Sequence, residues 1–413
     1  MNNRIYLCLA HMSGNEHKYI QEAFDTNWVV PLGPNVNGFE EDLKQFVGNH
    51  KEVVALSSGT AAIHLALVAL GVKAGDEVLC QSFTFCASAN PVAYLGATPV
   101  FVDSEPDSWN MDPHLLEQAI IDRKQKTGNY PKAIILVYLY GMPAKIREII
   151  DIAQKYNIPV IEDAAEGFGS RYNGQVCGTF ANFGILSFNG NKMITTSGGG
   201  ALICHDLETK QRIMFYATQA REAYPYYQHE HIGFNYRMSN ICAGIGRGQM
   251  TVLNEHLAHH KRIASIYRRA FDGSRGITFH DNPSAEYDSN FWLSTILIDE
   301  NLRVKGEDKA YSTAVNGAVG GAAGVVHSAT TIHTDCEPDS NVEALRLQLD
   351  THGIESRPLW KPMHKQPVFS QSPAYINGVS ETLFKKGLCL PSGPMVTEED
   401  ANFIVHTIMN QIL

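Results

Sequence analysis

The chain has 413 residues, of which 44% are hydrophobic and 18% are charged, and its formal net charge is −10 at pH 7. This length exceeds the roughly 250–300 residues at which a single hydrophobic core stops growing, so we expect two domains. The acidic balance argues against a nucleic-acid partner, since phosphate backbones require a basic surface. A membrane span is not expected either, because that would need a run of about 18 apolar residues.

The eight cysteines are scattered along the chain without a CxxC pair or a regular spacing. Such cysteines are typical of small buried side chains in a reducing compartment, so we expect a cytoplasmic protein. Two groups of histidines, His229 with His231 and His256 with His259 and His260, have no matching set of cysteines or carboxylates. We therefore predict no metal site.

Between residues 53 and 204, short apolar runs alternate with segments of helical pattern. The runs are nearly continuous in apolar residues, which is typical of strands in a parallel sheet covered on both faces. They lie at 53–57, 77–83, 98–103, 133–139, 158–162, 184–188 and 200–204. With helices between them, at 60–70, 86–95 and 144–156, they predict an α/β domain around a mixed, mostly parallel sheet of seven strands.

A second rhythm follows a long amphipathic segment at 250–271, which we interpret as a connecting helix. Further strands and helices are predicted at 291–299, 341–353, 353–358 and 398–412. This order favours a smaller α+β domain at 251–413, after a large domain at 1–250. The Gly- and Ala-rich stretch at 312–340 is interpreted as a loop or insertion, and no chemistry is assigned to it.

The stretch "ALSSGTAAIHLAL", residues 55–67, predicts a strand, a turn of small residues and a buried helix. Ser58, Gly59 and Thr60 leave backbone N–H groups free at the helix N-terminus, which favours a bound phosphate. An ordinary N-cap that needs no ligand is the alternative. The stretch is neither a GxGxxG fingerprint nor a P-loop, so a dinucleotide or ATP site is not indicated.

The stretch "IPVIEDAAEGFGS", residues 158–170, places Glu162 and Asp163 at the carboxyl end of a strand, where ligands of such sheets bind. A buried carboxylate there needs a cationic partner, and a protonated pyridine nitrogen would qualify. A helix N-cap is the alternative for this aspartate. Phe83 and Phe85 end another predicted strand, and one of them could stack on an aromatic ring unless both belong to the core.

The stretch "SFNGNKMITTSGGGAL", residues 187–202, sets Lys192 in a turn between two predicted strands. Its small neighbours would allow a cofactor to approach, and a partly desolvated lysine can form a Schiff base. A lone lysine in a Gly/Asn turn is more often a solvated charge. The order of phosphate turn, strand-end aspartate and lysine favours the catalytic interpretation.

Taken together, these stretches resemble the DegT-type sugar-nucleotide aminotransferases, which are fold-type-I pyridoxal phosphate (PLP) enzymes of the aspartate aminotransferase superfamily. The resemblance also includes "GFNYRMSNICAGIG" at 233–246, and it extends from "GPNVNGFEEDL" at 33–43 to "RPLWKPMHKQPVF" at 357–369. Each motif alone is unspecific, whereas the collinear set is specific.

The resemblance implies a role for individual residues. Lys192 would form the Schiff base with PLP and then act as the general base, and Asp163 would pair with the pyridine nitrogen. Phe85 matches the aromatic residue that stacks on the ring, and Glu166 occupies the position beside the ring hydroxyl. The phosphate would be held by Gly59, Thr60 and Ser187, and by Asn235 of a neighbouring subunit, which implies a homodimer. The nucleotide-sugar substrate would be held near Trp360, Lys361 and His364.

One subgroup of the family carries His in place of the lysine and removes a hydroxyl, so the presence of Lys192 favours transamination. The sequence "SFNGNK" resembles enzymes that aminate C-4 of a 4-keto-6-deoxy sugar nucleotide, with L-glutamate as the expected amino donor. The alternatives are a C-3 ketosugar aminotransferase and a non-catalytic or regulatory PLP-binding protein of the same fold. A nicotinamide-dependent oxidoreductase is disfavoured because no GxGxxG follows the first strand.

Overall fold

The computed structural model describes residues 4–311 and 336–413. Its strands are β1 (Glu52–Leu56), β2 (Glu77–Gln81), β3 (Thr98–Val102), β4 (Ala133–Val137), β5 (Val160–Asp163), β6 (Arg171–Tyr172), β7 (Gln175–Val176), β8 (Phe183–Ser187), β9 (Gly200–Cys204), β10 (Ile277–Phe279), β11 (Tyr287–Asp288), β12 (Ser294–Ile298), β13 (Arg357–Pro358), β14 (Ala374–Tyr375) and β15 (Gly387–Leu390).

The helices are α1 (Glu16–Asp25), α2 (Pro34–Val47), α3 (Gly59–Ala69), α4 (Asn90–Tyr94), α5 (Pro113–Thr127), α6 (Ile146–Lys155), α7 (Leu207–Ala217), α8 (Asn240–Met250), α9 (Leu253–Phe271), α10 (Ser340–Thr351), α11 (Val379–Lys386) and α12 (Glu398–Gln411).

The central sheet has the strand order β1-β9-β8-β5-β4-β2-β3-β14. Strands β2, β3, β4, β5, β8 and β14 pair in parallel, whereas β9 is antiparallel to both β1 and β8. The predicted mixed, mostly parallel α/β sheet is therefore confirmed, but the predicted number of seven strands was wrong, since the sheet has eight. The eighth strand, β14, has only two residues, which is too short for a hydrophobic pattern to predict.

Both faces of the central sheet are buried, which explains the nearly continuous apolar runs. In β1, Val53 and Ala55 belong to one hydrophobic cluster, whereas Val54 and Leu56 belong to a second cluster. Successive side chains of a strand point to opposite faces, so a strand covered on both sides needs apolar residues at every position.

The second half of the chain forms an antiparallel sheet of order β10-β12-β15-β13 with its own hydrophobic cluster. Residues of α9, α10 and α12 supply much of that cluster, including Ile263, Leu345 and Ile404. The predicted strand at 353–358 shrinks to β13. The division at residue 250 stays a prediction, and residues 312–335 of the Gly- and Ala-rich stretch lie outside the described residues.

Two short pairings connect the second half of the chain to the first. Strand β14 adds to the edge of the central sheet, with Ala374 opposite Phe101 and Tyr375 opposite Val102. Strand β11 pairs with the hairpin of β6 and β7, with Tyr287 opposite Tyr172. No helix among the described residues is long and apolar enough to cross a membrane.

Candidate active site

The N-terminus of α3 forms one wall of a cavity. Ser58 is the N-cap residue, and its hydroxyl accepts the N–H of Ala61 at 3.0 Å. The N–H groups of Gly59 and Thr60, in the first turn, have no partner within the helix itself. Both residues line the cavity together with Ser187, the last residue of β8. The predicted N-cap and the predicted anion-binding turn are therefore compatible with each other.

Glycines allow the backbone to close tightly around this wall. A β-carbon on Gly200 would lie 2.3 Å from the backbone nitrogen of Gly59 and 2.4 Å from the carbonyl carbon of Ser58. A β-carbon on Gly59 would lie 3.2 Å from that of Ser187. Strand β9 thus packs directly against the start of α3 because residue 200 has no side chain.

Asp163 ends β5 and is buried, with 4% of its surface exposed. Its carboxylate accepts the hydroxyl of Ser88 at 2.7 Å and the N–H of Ala165 at 3.2 Å. Burial raises the pKa of this carboxyl, and the hydrogen bond from Ser88 opposes that shift. Because both hydrogen-bond donors are neutral, the charge of Asp163 is available to a cation entering the cavity.

The neighbouring Glu162 has a different environment. Its carboxylate accepts the backbone N–H groups of Gly178, Phe180 and Ala181 at 2.6–2.8 Å, and it also accepts the hydroxyl of Tyr138. Alternation along the strand separates the two carboxylates. Glu162 therefore fixes the loop after the β6–β7 hairpin and is not among the residues that line the cavity.

Lys192 lies in the loop between β8 and β9. Its Nζ is 3.5 Å from Oε1 of Glu166 and 4.0 Å from the ring centroid of Trp292. Glu166 is buried, and its other carboxylate oxygen accepts the N–H of Tyr140 at 2.6 Å. Burial raises the pKa of Glu166 to about 7, although the positive charge of Lys192 acts in the opposite direction.

Tyr140 presents that N–H from a strained backbone, since its φ of 53° lies in the left-handed region that non-glycine residues rarely adopt. Such conformations occur frequently at functional sites. Its hydroxyl accepts the N–H of Trp360 at 2.9 Å. One residue thus contacts both the buried carboxylate of Glu166 and the aromatic wall of the cavity.

The cavity has a volume of about 340 Å³. Part of its wall is aromatic: Phe85 is 53% exposed, and its ring centroid is 5.4 Å from that of Trp360. An exposed ring in this position can stack on a ligand, whereas Phe83 is fully buried in the core.

The cavity brings together eight of the predicted site residues, which come from separate parts of the chain. These are Gly59, Thr60, Phe85, Asp163, Glu166, Ser187, Lys192 and Trp360. Their convergence supports a common site, and their individual roles stay predictions.

Three predicted site residues do not line the cavity. Asn235 is exposed, forms a backbone bridge with Thr218 and is not among the residues that line this chain's cavity. Lys361 is adjacent to Trp360 without being a lining residue. His364 is hydrogen-bonded through Nδ1 to Ser82 at 2.7 Å and through Nε2 to Glu381 at 3.0 Å.

Sequence reasoning missed Ser88, Tyr140 and Trp292. Ser88 follows the predicted strand end by a few residues, and Tyr140 follows β4, so their position after parallel strands was an available signal. Trp292 was included in a predicted strand, and nothing in its local pattern places it beside Lys192. In residues 4–311 and 336–413, no group of three His, Cys, Asp or Glu residues could hold a metal ion.

The sequence matches the model of a known protein family. The model of the DegT/DnrJ/EryC1/StrS aminotransferase family matches residues 11–316 and 309–409. The chain belongs to this family. This DegT/DnrJ/EryC1/StrS protein is therefore a PLP-dependent sugar aminotransferase.

Named relatives agree with this assignment. EpsN of Bacillus subtilis (strain 168), named as a pyridoxal phosphate-dependent aminotransferase, is 45% identical over 414 residues, covering 99% of this chain and 96% of the relative. A GDP-perosamine synthase of Escherichia coli O157:H7 is 33% identical over 398 residues, covering 96% and 95%.

Solved structures of aminotransferases share the fold. A DegT/DnrJ/EryC1/StrS aminotransferase from Brucella abortus has a TM-score of 0.81 at 27% identity and covers 96% of this chain and 95% of its own. The PLP form of the sugar aminotransferase Spr1654 from Streptococcus pneumoniae has a TM-score of 0.82 at 22% identity and covers 98% of both chains. At this lower identity, the likeness to Spr1654 shows the fold alone.

The cavity of this DegT/DnrJ/EryC1/StrS aminotransferase fits PLP. The N-terminus of α3 offers N–H groups to a phosphate, and the absence of a side chain at Gly200 keeps that wall compact. Asp163 is a buried carboxylate whose own hydrogen-bond donors are neutral, as required to bind a protonated ring nitrogen. Lys192 supplies the amine in the same cavity.

Proposed function

We propose that the protein transfers an amino group from L-glutamate to C-4 of a 4-keto-6-deoxy hexose carried on a nucleotide. The observation that carries the proposal is the convergence of Lys192, Asp163 and Glu166 in one cavity whose wall includes Phe85 and Trp360. The amine and the carboxylates can carry out proton transfer, and the aromatic part of the wall would contact a sugar.

The phosphate turn and Asp163 would bind opposite ends of the cofactor. Gly59, Thr60 and Ser187 would hold the phosphate, and the carboxylate of Asp163 would hold the protonated pyridine nitrogen. When bound, PLP supplies an electron sink for the carbon that carries the substrate nitrogen. Phe85 would stack on the ring, because its side chain is the exposed aromatic group of the cavity wall.

Lys192 would remove and return the proton at that carbon as the general base. Its Nζ is placed between the carboxylate of Glu166 and the face of Trp292. Glu166 would lie beside the ring hydroxyl, where a carboxyl with a pKa of about 7 can hold a proton or release it. The indole rings of Trp292 and Trp360 would exclude water from the lysine side of the cavity.

The position of amination is supported by two lines. The stretch "SFNGNK" resembles that of C-4 enzymes. A relative from Shewanella sediminis, 32% identical over 72% of this chain and 77% of its own length, is named UDP-4-amino-4-deoxy-L-arabinose–oxoglutarate aminotransferase. Its name also supports L-glutamate as the donor, since glutamate that gives up its nitrogen becomes 2-oxoglutarate.

A C-3 ketosugar aminotransferase is the second candidate. A relative from Pseudomonas aeruginosa, 39% identical over 57% of this chain and 63% of its own length, is named UDP-2-acetamido-2-deoxy-3-oxo-D-glucuronate aminotransferase. This match covers 57% of this chain, against 72% for the relative from Shewanella sediminis, so it carries less weight.

We also propose that the protein acts as a homodimer, with Asn235 reaching the phosphate of the partner's site. Asn235 is exposed and lies in a segment bridged to Thr218. The exposed Tyr226, Tyr227 and Ile232 lie in the same part of the chain, and a second copy would cover them.

Purified protein should be incubated with L-glutamate and a panel of 4-keto and 3-keto nucleotide sugars, and the products read by mass spectrometry. We expect amination of a 4-keto-6-deoxy sugar. Lys192→Ala should abolish turnover and the visible absorption of the bound cofactor, whereas His406→Asn, an exposed substitution on α12, should preserve both. Amination of 3-keto sugars alone would select the second candidate, and a cofactor band without any turnover would refute both.

A further inference from the structure

Side chains that do not line the cavity bind the backbone of the loop that carries Lys192. The loop leaves β8 after Ser187 and enters β9 at Gly200, so Lys192 sits in the middle of an irregular segment of twelve residues, 188–199. Within it, Lys192 N–H donates to Asn189 at 3.0 Å, and Thr196 N–H donates to Phe188 at 3.0 Å. Other backbone groups of the loop form hydrogen bonds with residues outside it.

Two buried side chains from the junction of α8 and α9 bind these backbone groups. Gln249, 1% exposed, accepts the N–H of Thr195 through Oε1 at 3.3 Å. His256, 4% exposed, lies 3.2 Å through Nδ1 from the carbonyl oxygen of Met193. Met193 and Thr195 follow Lys192 by one and three residues. The helices α9 and α8, which supply the two side chains, are separated by only Thr251 and Val252.

Both side chains are connected to His11. The amide of Gln249 donates to the carbonyl oxygen of His11 at 2.8 Å and to Glu16 at 2.6 Å. Nε2 of His256 lies 3.3 Å from Nδ1 of His11. A carbonyl oxygen can only accept, so Nδ1 of His256 carries the proton and its Nε2 is the acceptor. Nδ1 of His11 must then be protonated to donate to it.

We propose that His256, supported by His11 and Gln249, is a positioning residue that fixes the Lys192 loop. The proposal rests on the function assigned to Lys192 above. The Nδ1–H of His256 donates to Met193 while its Nε2 accepts from His11, so both ring nitrogens of His256 are engaged.

The surroundings of His256 keep it neutral near pH 7. Burial lowers its pKa, and the neighbouring His11 and His259 act in the same direction. The carbonyl of Met193 and the carboxylate of Glu255 oppose the shift. A neutral His256 keeps the acceptor Nε2 that its bond to His11 requires.

Hydrogen exchange of the PLP-loaded protein tests this role without relying on activity. At pH 7.5, His256→Leu should accelerate amide exchange in the peptide covering 188–197 by about tenfold. His256→Asn, whose amide can still donate to Met193, should stay within twofold of the wild type. His406→Asn is the matched control and should behave as the wild type.

Kinetics and a second variant complete the test. His256→Leu should lower kcat about tenfold and leave KM for the nucleotide sugar within twofold, because no sugar contact is altered. His11→Leu keeps the bond from His256 to Met193, so its loop should exchange within twofold of the wild type at pH 7.5. Unchanged loop exchange in His256→Leu, or an equal increase throughout the chain, would overturn the proposal. An incorrect assignment of the reaction would appear differently, as absent turnover in a wild type whose loop is protected.

Discussion

Trp292 contacts Lys192 in two ways. Its ring centroid lies 4.0 Å from Nζ of Lys192, and its indole N–H donates at 2.6 Å to the carbonyl oxygen of Asn191, the residue before the lysine. The same side chain therefore holds both the amine and the backbone that carries it. A cation over an aromatic face gains electrostatic attraction, which adds to the hydrogen bond.

Separating these two contacts gives the first prediction. Trp292→Phe keeps an aromatic face but loses the indole N–H, so we expect the free energy of unfolding to fall by about 1 kcal/mol. Trp292→Ala loses both contacts and leaves a cavity, and we expect a decrease of about 3–5 kcal/mol. Denaturation in urea measures both values, and turnover should fall in the same order. Equal losses for the two variants would mean that the hydrogen bond to Asn191 dominates.

The adjacent carboxylates Asp163 and Glu162 should respond oppositely to amide substitution. Asp163→Asn removes a charge that burial disfavours, so the protein without PLP should be as stable as the wild type or more so. Loss of the partner for the ring nitrogen should nevertheless lower turnover at least a hundredfold, given roughly 3–5 kcal/mol for breaking such a pair.

Glu162→Gln serves as the contrast, because it should preserve the chemistry and reduce stability. The amide has one acceptor oxygen for three backbone N–H groups and a hydroxyl. At least one buried donor loses its partner, which costs about 1–3 kcal/mol. Thermal unfolding and PLP titration of both variants test the contrast, and a large loss of PLP affinity in Glu162→Gln would contradict it.

Glu166 makes stability depend on pH. Burial raises its folded pKa to about 7, from an ordinary value of 4.5. Between these two values the folded chain holds a proton that the unfolded chain has released. The stabilisation is complete below about pH 4.5 and is lost as the pH rises through 7. In protein freed of PLP, the difference in unfolding free energy between the wild type and Glu166→Gln should therefore fall by roughly 3 kcal/mol between pH 4.5 and 8. A difference independent of pH would show that Glu166 does not titrate in this range.

Gly200 should tolerate no side chain, in contrast to Gly190 in the nearby loop. The β-carbon of Gly200→Ala would meet the backbone of Ser58 and Gly59 at 2.3–2.6 Å, so the start of α3 must shift. We expect a loss of about 1–3 kcal/mol in stability and at least tenfold weaker PLP binding. Gly190→Ala has no atom within 4 Å of its β-carbon and should change stability by less than about 0.5 kcal/mol. Fluorescence titration with PLP compares the two variants.

The sequence was sufficient for features that depend on local pattern. Each predicted strand of the central sheet is present because burial on both faces requires apolar residues at consecutive positions, as in β1 and β4. The cap at Ser58 and the position of Asp163 at a strand end follow from similarly local rules. The short edge strand β14 has no such pattern and was missed.

Contacts made by packing of distant segments could not be predicted. Trp292 lies one hundred residues after Lys192 in the chain and reaches it only through the fold. His256 was considered only as a candidate metal ligand, and its contact with Met193 required the junction of α8 and α9. His364 is bound to Ser82 and Glu381 rather than lining the cavity, so its proposed contact with substrate needs a rearrangement of those bonds.

The aromatic side of the cavity is fixed by main-chain pairing on either side of it. Strand β11 is joined to β6 a few residues before Trp292, and strand β14 is joined to β3 after the segment of Trp360. Backbone pairing does not depend on which side chain occupies position 85 or 360. Substitutions at these positions can therefore leave the frame and Lys192 in register. Under the proposed function, one scaffold would acquire new acceptor sugars by few substitutions.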